Sequence, residues 1–181
     1  MKSRRFWYAV SPALGVLSLS LYALAQEPAP QDSQSPPPQV RAESFPSDQM
    51  RVAVAIRRGE QLFEVSEFGE ALKEYQKALE ANRISSLAHY RIAEVFQQQR
   101  NYQSAANEFR AVLEGDLHPK WTEVWSHVNL GRIFDVTGQR DRAVNEYKQA
   151  ERTKDNTQGA LEEAAKYLKT PYERPKHVEV R

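Results

Sequence analysis

The sequence predicts an all-α fold: an α-solenoid of three antiparallel helix-turn-helix repeats followed by a C-terminal capping helix. The first observation is an alanine followed four residues later by an aromatic residue, which occurs three times. These aromatic residues are Tyr75, Phe109 and Tyr147, and the intervals between them are 34 and 38 residues. A period of about 34 residues is typical of stacked helical hairpins, and the second interval adds a four-residue insertion. The second observation is the scarcity of glycine, 7 in 181 residues, which favours helices.

Close packing explains the residue types at the repeated positions. A small residue on the first helix of each pair lets the second helix approach closely, an alanine on the second helix does the same, and the aromatic residue fills the space beside them. A lone helical pair cannot bury its apolar face, so stacked neighbours form one continuous core. In chain order the three sets are Gly59, Ala71 and Tyr75; Ala93, Ala105 and Phe109; and Gly131, Ala143 and Tyr147.

The segment from about residue 52 to 157 resembles the tetratricopeptide repeat (TPR) family. The resemblance lies in the order Leu-Gly-x-x-aromatic, as in Leu130, Gly131 and Phe134, followed by Ala-x-x-x-aromatic. Two features depart from the family pattern. The bulky residue expected early in each first helix is replaced by Ala55, His89 and His127. The proline expected to close a repeat is missing from the first and third repeats, which have Arg83 and Asp155 there.

Residues 1–25 are typical of a signal peptide. A basic start, Lys2 to Arg5, precedes the apolar, uncharged run 6–24, which ends in the small-x-small pattern Ala23-Leu24-Ala25 that a signal peptidase accepts. This predicts cleavage before Gln26 and export to the periplasm or out of the cell. The alternative is an uncleaved membrane anchor at 6–24, because the run is close to the length that spans a bilayer.

Residues 26–49 form a segment rich in Pro, Gln and Ser. Few large apolar side chains are present to bury, so the composition predicts a disordered linker. The alternative is that Pro36-Pro37-Pro38 is a ligand for a proline-recognising domain.

The helical domain is expected at 50–169, with Ser47 or Asp48 as the first helix cap. An insertion at 116–122 lies between the second and third repeats and contains Trp121. We expect Trp121 to cover the joint between those repeats, and contact with a partner is the alternative. The repeats are predicted at about 52–85, 86–119 and 124–157.

A capping helix is predicted at 157–169. Its apolar residues recur at helical spacing and match the packing face of a further first helix, and solenoids need such a polar-faced cap. Pro171 and Pro175 break the chain after it, so the tail 170–181 is expected to be flexible. The residues of the expected packing face are Leu161, Ala164, Ala165 and Leu168.

Composition and motifs argue against several functions. The formal charge of +1 becomes −2 without the three leader cations, which gives no strong attraction to nucleic acid or anionic lipid. The chain has no cysteine, no Gly-rich phosphate loop and no hydrolase or metalloprotease motif. His89 and His127 occupy equivalent places, but no ligand cluster accompanies them, so we expect structural histidines. The sequence therefore predicts no catalytic site, no cofactor and no metal.

The resemblance implies that the first helices line a concave groove that binds a peptide or protein segment. Phe63, Tyr90 and Trp125 are large anchors of the kind that dominate binding energy, although an aromatic stripe at helical spacing is equally typical of a core. The candidate groove residues by register are Ala53, Ile56, Glu60, Phe63 and Glu64; Leu87, Tyr90, Glu94, Gln97 and Gln98; and Trp125, Val128, Arg132, Asp135 and Val136.

The charges of these residues predict a mostly acidic groove wall, with Arg132 as the exception. Some members of the family clamp a terminal carboxylate with lysines and asparagines, and the matching positions here do not carry that clamp. We therefore expect an extended or helical ligand with apolar side chains and a basic or neutral charge.

These observations favour a non-catalytic TPR-like scaffold that binds a protein partner outside the cytoplasm. The alternatives are a structural protein that self-associates through its repeat ends, or an envelope-anchored scaffold. An enzyme is the weakest alternative. The identity of the partner and the oligomeric state stay open at this point.

Overall fold

The structure is a computed structural model, and it describes residues 47–175. Within this range the chain forms seven α-helices and one short 3-10 helix. The helices are α1 (Asp48–Glu64), α2 (Phe68–Ala81), α3 (Ser86–Gln98), α4 (Tyr102–Leu113), α5 (Trp121–Val136), α6 (Arg140–Thr153) and α7 (Ala160–Lys169), and the 3-10 helix is Thr157–Gly159.

The helices pack as three hairpins, α1 with α2, α3 with α4 and α5 with α6, and α7 closes the stack against α5 and α6. This arrangement confirms the predicted three-repeat solenoid with a final helix. The Ser47 hydroxyl accepts a hydrogen bond from the Met50 backbone N–H and caps α1 as expected. None of the helices in 47–175 combines the length and hydrophobicity needed to cross a bilayer.

The repeated small and aromatic residues form the core of each hairpin. Tyr75, Phe109 and Tyr147 are almost fully buried, and so are the alanines four residues before each of them. Gly59 lies against the ring of Tyr75, and Gly131 lies against the ring of Tyr147 in the same way. The packing reason given for the sequence repeat therefore holds in the structure.

The insertion is attached to the start of α3 by Asp116. The Asp116 carboxylate accepts hydrogen bonds from the backbone N–H groups of Ser86 and His118, at 3.1 and 3.0 Å, and from the Asn82 side chain at 3.0 Å. Trp121 belongs to α5 as its first residue, not to the insertion, because the backbone and hydroxyl of Thr122 both donate to the Pro119 carbonyl and start the helix there.

The packing face of α7 differs from the expected one. Ala160, Ala164 and Tyr167 are buried, whereas Leu161 and Leu168 of the expected face pack only partly against the core. The 3-10 turn before α7 sets this rotation, because it includes Gln158 and Gly159 at positive φ. Tyr167, which was not predicted from the sequence, is therefore the main residue of this face.

The signal peptide 1–25, most of the linker and the last six residues lie outside the described residues. Their predicted roles stay predictions.

Candidate functional site

The first helices of all three hairpins border one central depression, and we call the face that they share the groove. The volume of the depression is about 320 Å³. Because one depression contacts α1, α3 and α5 together, these helices share a common face. The lining residues are Phe63, Tyr90, Glu94, Gln97, Gln98, Trp125, Asn129, Arg132 and Gln158.

A second, wider depression of about 880 Å³ lies toward the N-terminal end of the same face. Val52, Ala53 and Ile56 of α1 form its apolar side, together with Leu87 of α3. Arg57, Glu60, Asp116 and His118 add charged or titratable groups at its rim.

Three of the predicted groove residues are buried in the core. Ile56 and Tyr90 are each 5% exposed, and Val128 is fully buried. The Tyr90 ring packs edge-on against Phe109 and Trp121, and its hydroxyl accepts a hydrogen bond from Asn129 at 3.1 Å. Burial raises the pKa of the Tyr90 hydroxyl. These three side chains therefore present little surface to a partner.

Four further predicted residues are half-buried and keep part of their surface open to the groove: Phe63, Leu87, Gln97 and Trp125. Phe63 packs edge-on against Phe68, with ring centroids 5.4 Å apart. The Trp125 indole N–H donates to the Thr157 carbonyl at 3.0 Å, which fixes the ring between α5 and the 3-10 helix. Glu64, Gln98 and Ala53 are exposed.

The groove wall is less acidic than expected, because Arg91 pairs with two of its glutamates and offsets one of their two negative charges. The Arg91 guanidinium donates to Glu60 at 2.6 Å and to Glu94 at 2.8 Å. Burial alone would lower the pKa of Arg91, but Glu94 and Glu60 outweigh it and raise that pKa, so the guanidinium stays charged. Burial also raises the pKa of the Glu94 carboxyl, and Arg91 opposes this shift.

Arg132 occupies the corresponding joint at the other end of the solenoid. Its guanidinium donates to Glu163 of α7 and to the Asn129 side chain. It also lies over three aromatic rings, those of Trp125, Tyr167 and Tyr172, at 5.3 to 5.5 Å from their centroids. Arg132 is therefore held in place by hydrogen bonds to α5 and α7, and the Tyr172 ring of the tail lies against it.

Among the predicted groove residues, Asp135 accepts the most hydrogen bonds, and its side chain is 1% exposed. Its carboxylate accepts two hydrogen bonds from Arg140, one from the Tyr147 hydroxyl and one from the Tyr172 backbone N–H, at 2.8 to 3.1 Å. Arg140 also donates to the carbonyls of Tyr167 and Leu168 at the end of α7. Asp135 thus joins α5, α6 and the tail, and its buried carboxylate presents no open surface to a partner.

The chain beyond α7 returns to the groove. Residues 170–175 have no regular secondary structure, and Tyr172 and Arg174 face the ends of α3 and α5. A depression of about 220 Å³ separates them from Gln97, Gln98 and Val136. The Arg174 guanidinium donates to the Tyr102 hydroxyl at 2.9 Å. These contacts were not predicted from the sequence, which indicates a flexible tail at 170–181.

The two equivalent histidines have equivalent partners. His89 Nδ1 lies 2.8 Å from a Glu108 carboxylate oxygen, and His127 Nδ1 lies 2.8 Å from the corresponding oxygen of Glu146. Each pair joins the two helices of one hairpin. Among residues 47–175 no group of three or more His, Cys, Asp or Glu side chains could hold a metal ion.

The residues that the sequence analysis missed are Arg91, Arg140, Tyr167 and Tyr172. A signal existed for one of them, because Arg91 follows Glu60 by 31 residues and Glu163 follows Arg132 by the same interval. Opposite charges repeated at that interval indicate pairing between the first helices of neighbouring hairpins.

Comparison with known proteins identifies the fold class. No protein-family model matches the chain, and no curated protein matches it. A crystal structure of MamA is similar, with 18% identity and a TM-score of 0.50 over 65% of this chain and 74% of that one. The fold is that of a TPR-like α-solenoid.

Two further MamA structures give lower scores. A point mutant of MamA has 20% identity and a TM-score of 0.48, over 60% of this chain and 80% of that one. Another MamA structure has 14% identity and a TM-score of 0.47, over 69% and 79% of the two chains. At these identities the likeness concerns the fold alone.

Proposed function

We propose that this protein is a non-catalytic scaffold that binds a protein segment in its concave groove. The observation that carries the proposal is the central depression, which three different helices line and which combines half-buried aromatic rings with side-chain amides. Phe63 and Trp125 supply rigid apolar surface, and Gln97 and Gln98 supply donors and acceptors for an extended backbone. Such a mixture suits a peptide better than a small reactive substrate.

The electrostatics of the groove set the chemistry of the partner. Glu60 and Glu94 share Arg91, which leaves one negative charge, whereas Arg132 and Glu163 balance each other. Glu64 at the edge of the groove is exposed and acidic. The partner segment is accordingly apolar or aromatic at its centre and neutral or basic at its ends.

We propose that the scaffold acts outside the cytoplasm, in the periplasm or the surrounding medium. Support for this comes from the sequence of residues 1–25 alone, with its basic start, apolar run and small-x-small end. Retention on a membrane by residues 6–24 is the alternative. Sizing the mature chain by mass spectrometry distinguishes the two, because cleavage before Gln26 gives a chain beginning at that residue.

The experiment that tests groove binding is co-purification from cell envelope and culture fluid with a double variant, Phe63→Ala with Gln98→Ala. These side chains line the depression and neither is in the fully buried core. The matched control is Gln76→Ala with Glu80→Ala, two exposed residues of α2 that do not line the central depression. Circular dichroism first establishes that both variants keep the helical content of the wild type.

Loss of a specific partner from the groove variant and its retention by the control supports the proposal. Retention of the same partners by both variants contradicts it and moves the binding surface elsewhere.

Self-association through a repeat end is the second candidate. Met50 and Val54 lie on α1, the first helix of the described range, and their side chains are 57% and 45% exposed. Such exposure of large apolar side chains on a terminal helix is unusual. Sedimentation at several concentrations, compared with a Val54→Glu variant, tests this candidate. A mass that rises with concentration in the wild type only would support it.

A further inference from the structure

The tail packs onto the groove in the way that a bound peptide would. Tyr172 and Arg174 are half-buried, whereas Pro171, Glu173 and Pro175 are exposed. This alternation has a period of two residues, which is the period of an extended chain with one face against a surface. The groove therefore contacts residues i and i+2 of an extended segment.

Three kinds of contact hold this segment. The backbone N–H of Tyr172 donates to Asp135 at 2.8 Å. The Tyr172 ring packs edge-on against Tyr167 at 5.2 Å and under the guanidinium of Arg132 at 5.4 Å. The guanidinium of Arg174 donates to the Tyr102 hydroxyl. One backbone bond, one aromatic site and one acceptor for a cation together specify an aromatic residue followed two positions later by a basic one.

The groove side of this site is built without the tail. Asp135 is fixed by Arg140 and Tyr147, and Arg132 is fixed by Glu163 and Asn129. Tyr167 belongs to the buried face of α7. A site held by its own neighbours keeps its shape when the occupying segment leaves, which lowers the cost of binding another segment.

The tail itself is held weakly. It contributes one backbone hydrogen bond to a carboxylate, one side-chain bond to the Tyr102 hydroxyl and the packing of one half-buried ring, that of Tyr172, and alternate residues are exposed. Segments with few buried apolar contacts open at a small fraction of the global unfolding free energy. The tail can therefore leave the groove while the solenoid stays folded.

We propose that this end of the groove is a binding site for an extended partner segment with an aromatic residue followed two positions later by a basic residue, and that the chain's own Tyr172 and Arg174 occupy it until such a segment displaces them. The proposal rests on the proposed function and adds the sequence chemistry of the partner. The tail acts as a tethered competitor at an effective concentration in the millimolar range, on the order of that for short linkers. Only a segment that binds well enough to exceed this competition gains access.

The test uses the full chain and a defined probe, a fluorescently labelled peptide with the sequence of residues 169–175. Fluorescence anisotropy measures its affinity for the wild type and for two opened variants. One opened variant is full-length Tyr172→Ala with Arg174→Ala, and the other ends at Thr170. The matched control is full-length Glu173→Ala with Pro175→Ala, because both residues are exposed and face away from the groove.

The expected result is that the opened variants bind the peptide about tenfold or more tightly than the wild type and the control variant do, because the tethered tail no longer competes. A peptide with alanine in place of Tyr172 and Arg174 should not bind measurably. Equal affinity for the wild type and the opened variants overturns the proposal, and so does the absence of peptide binding to a folded opened variant. Circular dichroism establishes whether each variant is folded. If the shortened chain does not fold, the result for the full-length opened variant decides the test.

The peptide titration needs no cellular partner, so its outcome is separate from that of the co-purification. Peptide binding without any captured partner would refute the proposed function and leave the site in place. A partner captured equally by the wild type and the opened variants, with no peptide binding, would refute the site and leave the proposed function in place.

Discussion

Gly131 lies so close to the ring of Tyr147 that a Cβ built on Gly131 would be 2.3 Å from Tyr147 Cε1. Gly59 has the same relationship to Tyr75, also at 2.3 Å. The Tyr147 ring cannot move aside easily, because it is fully buried and its hydroxyl donates to Asp135. The two helices of each of these hairpins can approach so closely because the glycine presents only a hydrogen atom to the aromatic ring.

The first prediction is that Gly131→Ala lowers the free energy of unfolding by about 1–3 kcal/mol, the range typical of overpacked cores. Helix propensity alone would favour alanine by up to about 1 kcal/mol, so the sign of the effect tests the clash. Urea unfolding followed by circular dichroism measures it. The control is Gly69→Ala in α2, where a Cβ meets no atom within 4 Å and the propensity gain should appear instead. A gain in stability for Gly131→Ala would contradict the packing argument.

The second prediction concerns Glu74. This residue occupies the same position in the first hairpin as Glu108 does in the second and Glu146 does in the third. Ala55 stands at the place of His89 and His127, and the Glu74 Oε2 atom is buried without a hydrogen-bond partner. The other carboxylate oxygen, Oε1, accepts a hydrogen bond from the exposed Lys77 ammonium, and ion pairs with exposed partners contribute little to stability. Glu74→Gln should therefore be close to neutral. Glu108→Gln should cost about 1–2 kcal/mol, because it weakens a bond between a carboxylate and an imidazole.

Parallel urea unfolding curves at pH 6 compare the two glutamine variants. An equal loss of stability in both would show that the histidine partner does not distinguish these carboxylates.

The third prediction is a pH dependence that originates at His89. The hydrogen bond to Glu108 is the main cause of a raised His89 pKa, and burial opposes it. A raised folded-state pKa means that the folded protein binds the proton more tightly than the unfolded chain does. The stabilisation is therefore fully present below the unfolded value of about 6.5 and is lost as the pH rises through the folded value.

The measurement is the free energy of unfolding from pH 5.5 to 8.5 for the wild type and His89→Gln. The stability difference between them should shrink as the pH rises, and Glu108→Gln should flatten the wild-type slope. A difference that stays constant across this range would exclude His89 as the origin.

The repeats were predictable from the sequence because their packing depends on residues at fixed intervals. Small residues such as Gly59 and aromatic residues such as Tyr75 recur in register, so the helical pairs and their cores follow from one pattern. The same pattern could not decide whether an aromatic residue packs or binds. Tyr90 and Trp125 fall on the same predicted stripe, yet one is buried with its hydroxyl bonded and the other keeps part of its ring in the groove.

The contacts at the C-terminal end could not be predicted, because they occur once in the chain. The hydrogen bond from Tyr172 to Asp135 joins residues 37 apart, and that from Arg174 to Tyr102 joins residues 72 apart. Neither belongs to a repeated interval. The rotation of α7 depends on the positive φ angles of Gln158 and Gly159, which hydrophobic periodicity does not reveal.

The fourth prediction concerns the joints at the two ends of the solenoid. Glu60 of α1 pairs with Arg91 of α3 at one end, and Arg132 of α5 pairs with Glu163 of α7 at the other. The acidic residue comes first in the chain in the first pair, and the basic residue comes first in the second. Arg132→Ala should loosen α7, because it leaves Glu163 unpaired and removes the cation from three aromatic rings.

Native-state hydrogen exchange measures this loosening helix by helix. Amides of α7 should exchange about tenfold faster in Arg132→Ala, which corresponds to about 1.4 kcal/mol, while those of α1 keep their wild-type rates. Arg91→Ala should give the mirror result, with faster exchange in α1 and unchanged α7. Arg132→Lys separates charge from shape, because lysine keeps the charge but cannot stack or donate in a planar fork, so exchange in α7 should rise by an intermediate amount. If both alanine variants accelerated exchange uniformly along the chain, the two ion pairs would act on global stability and not on the joint that each one spans.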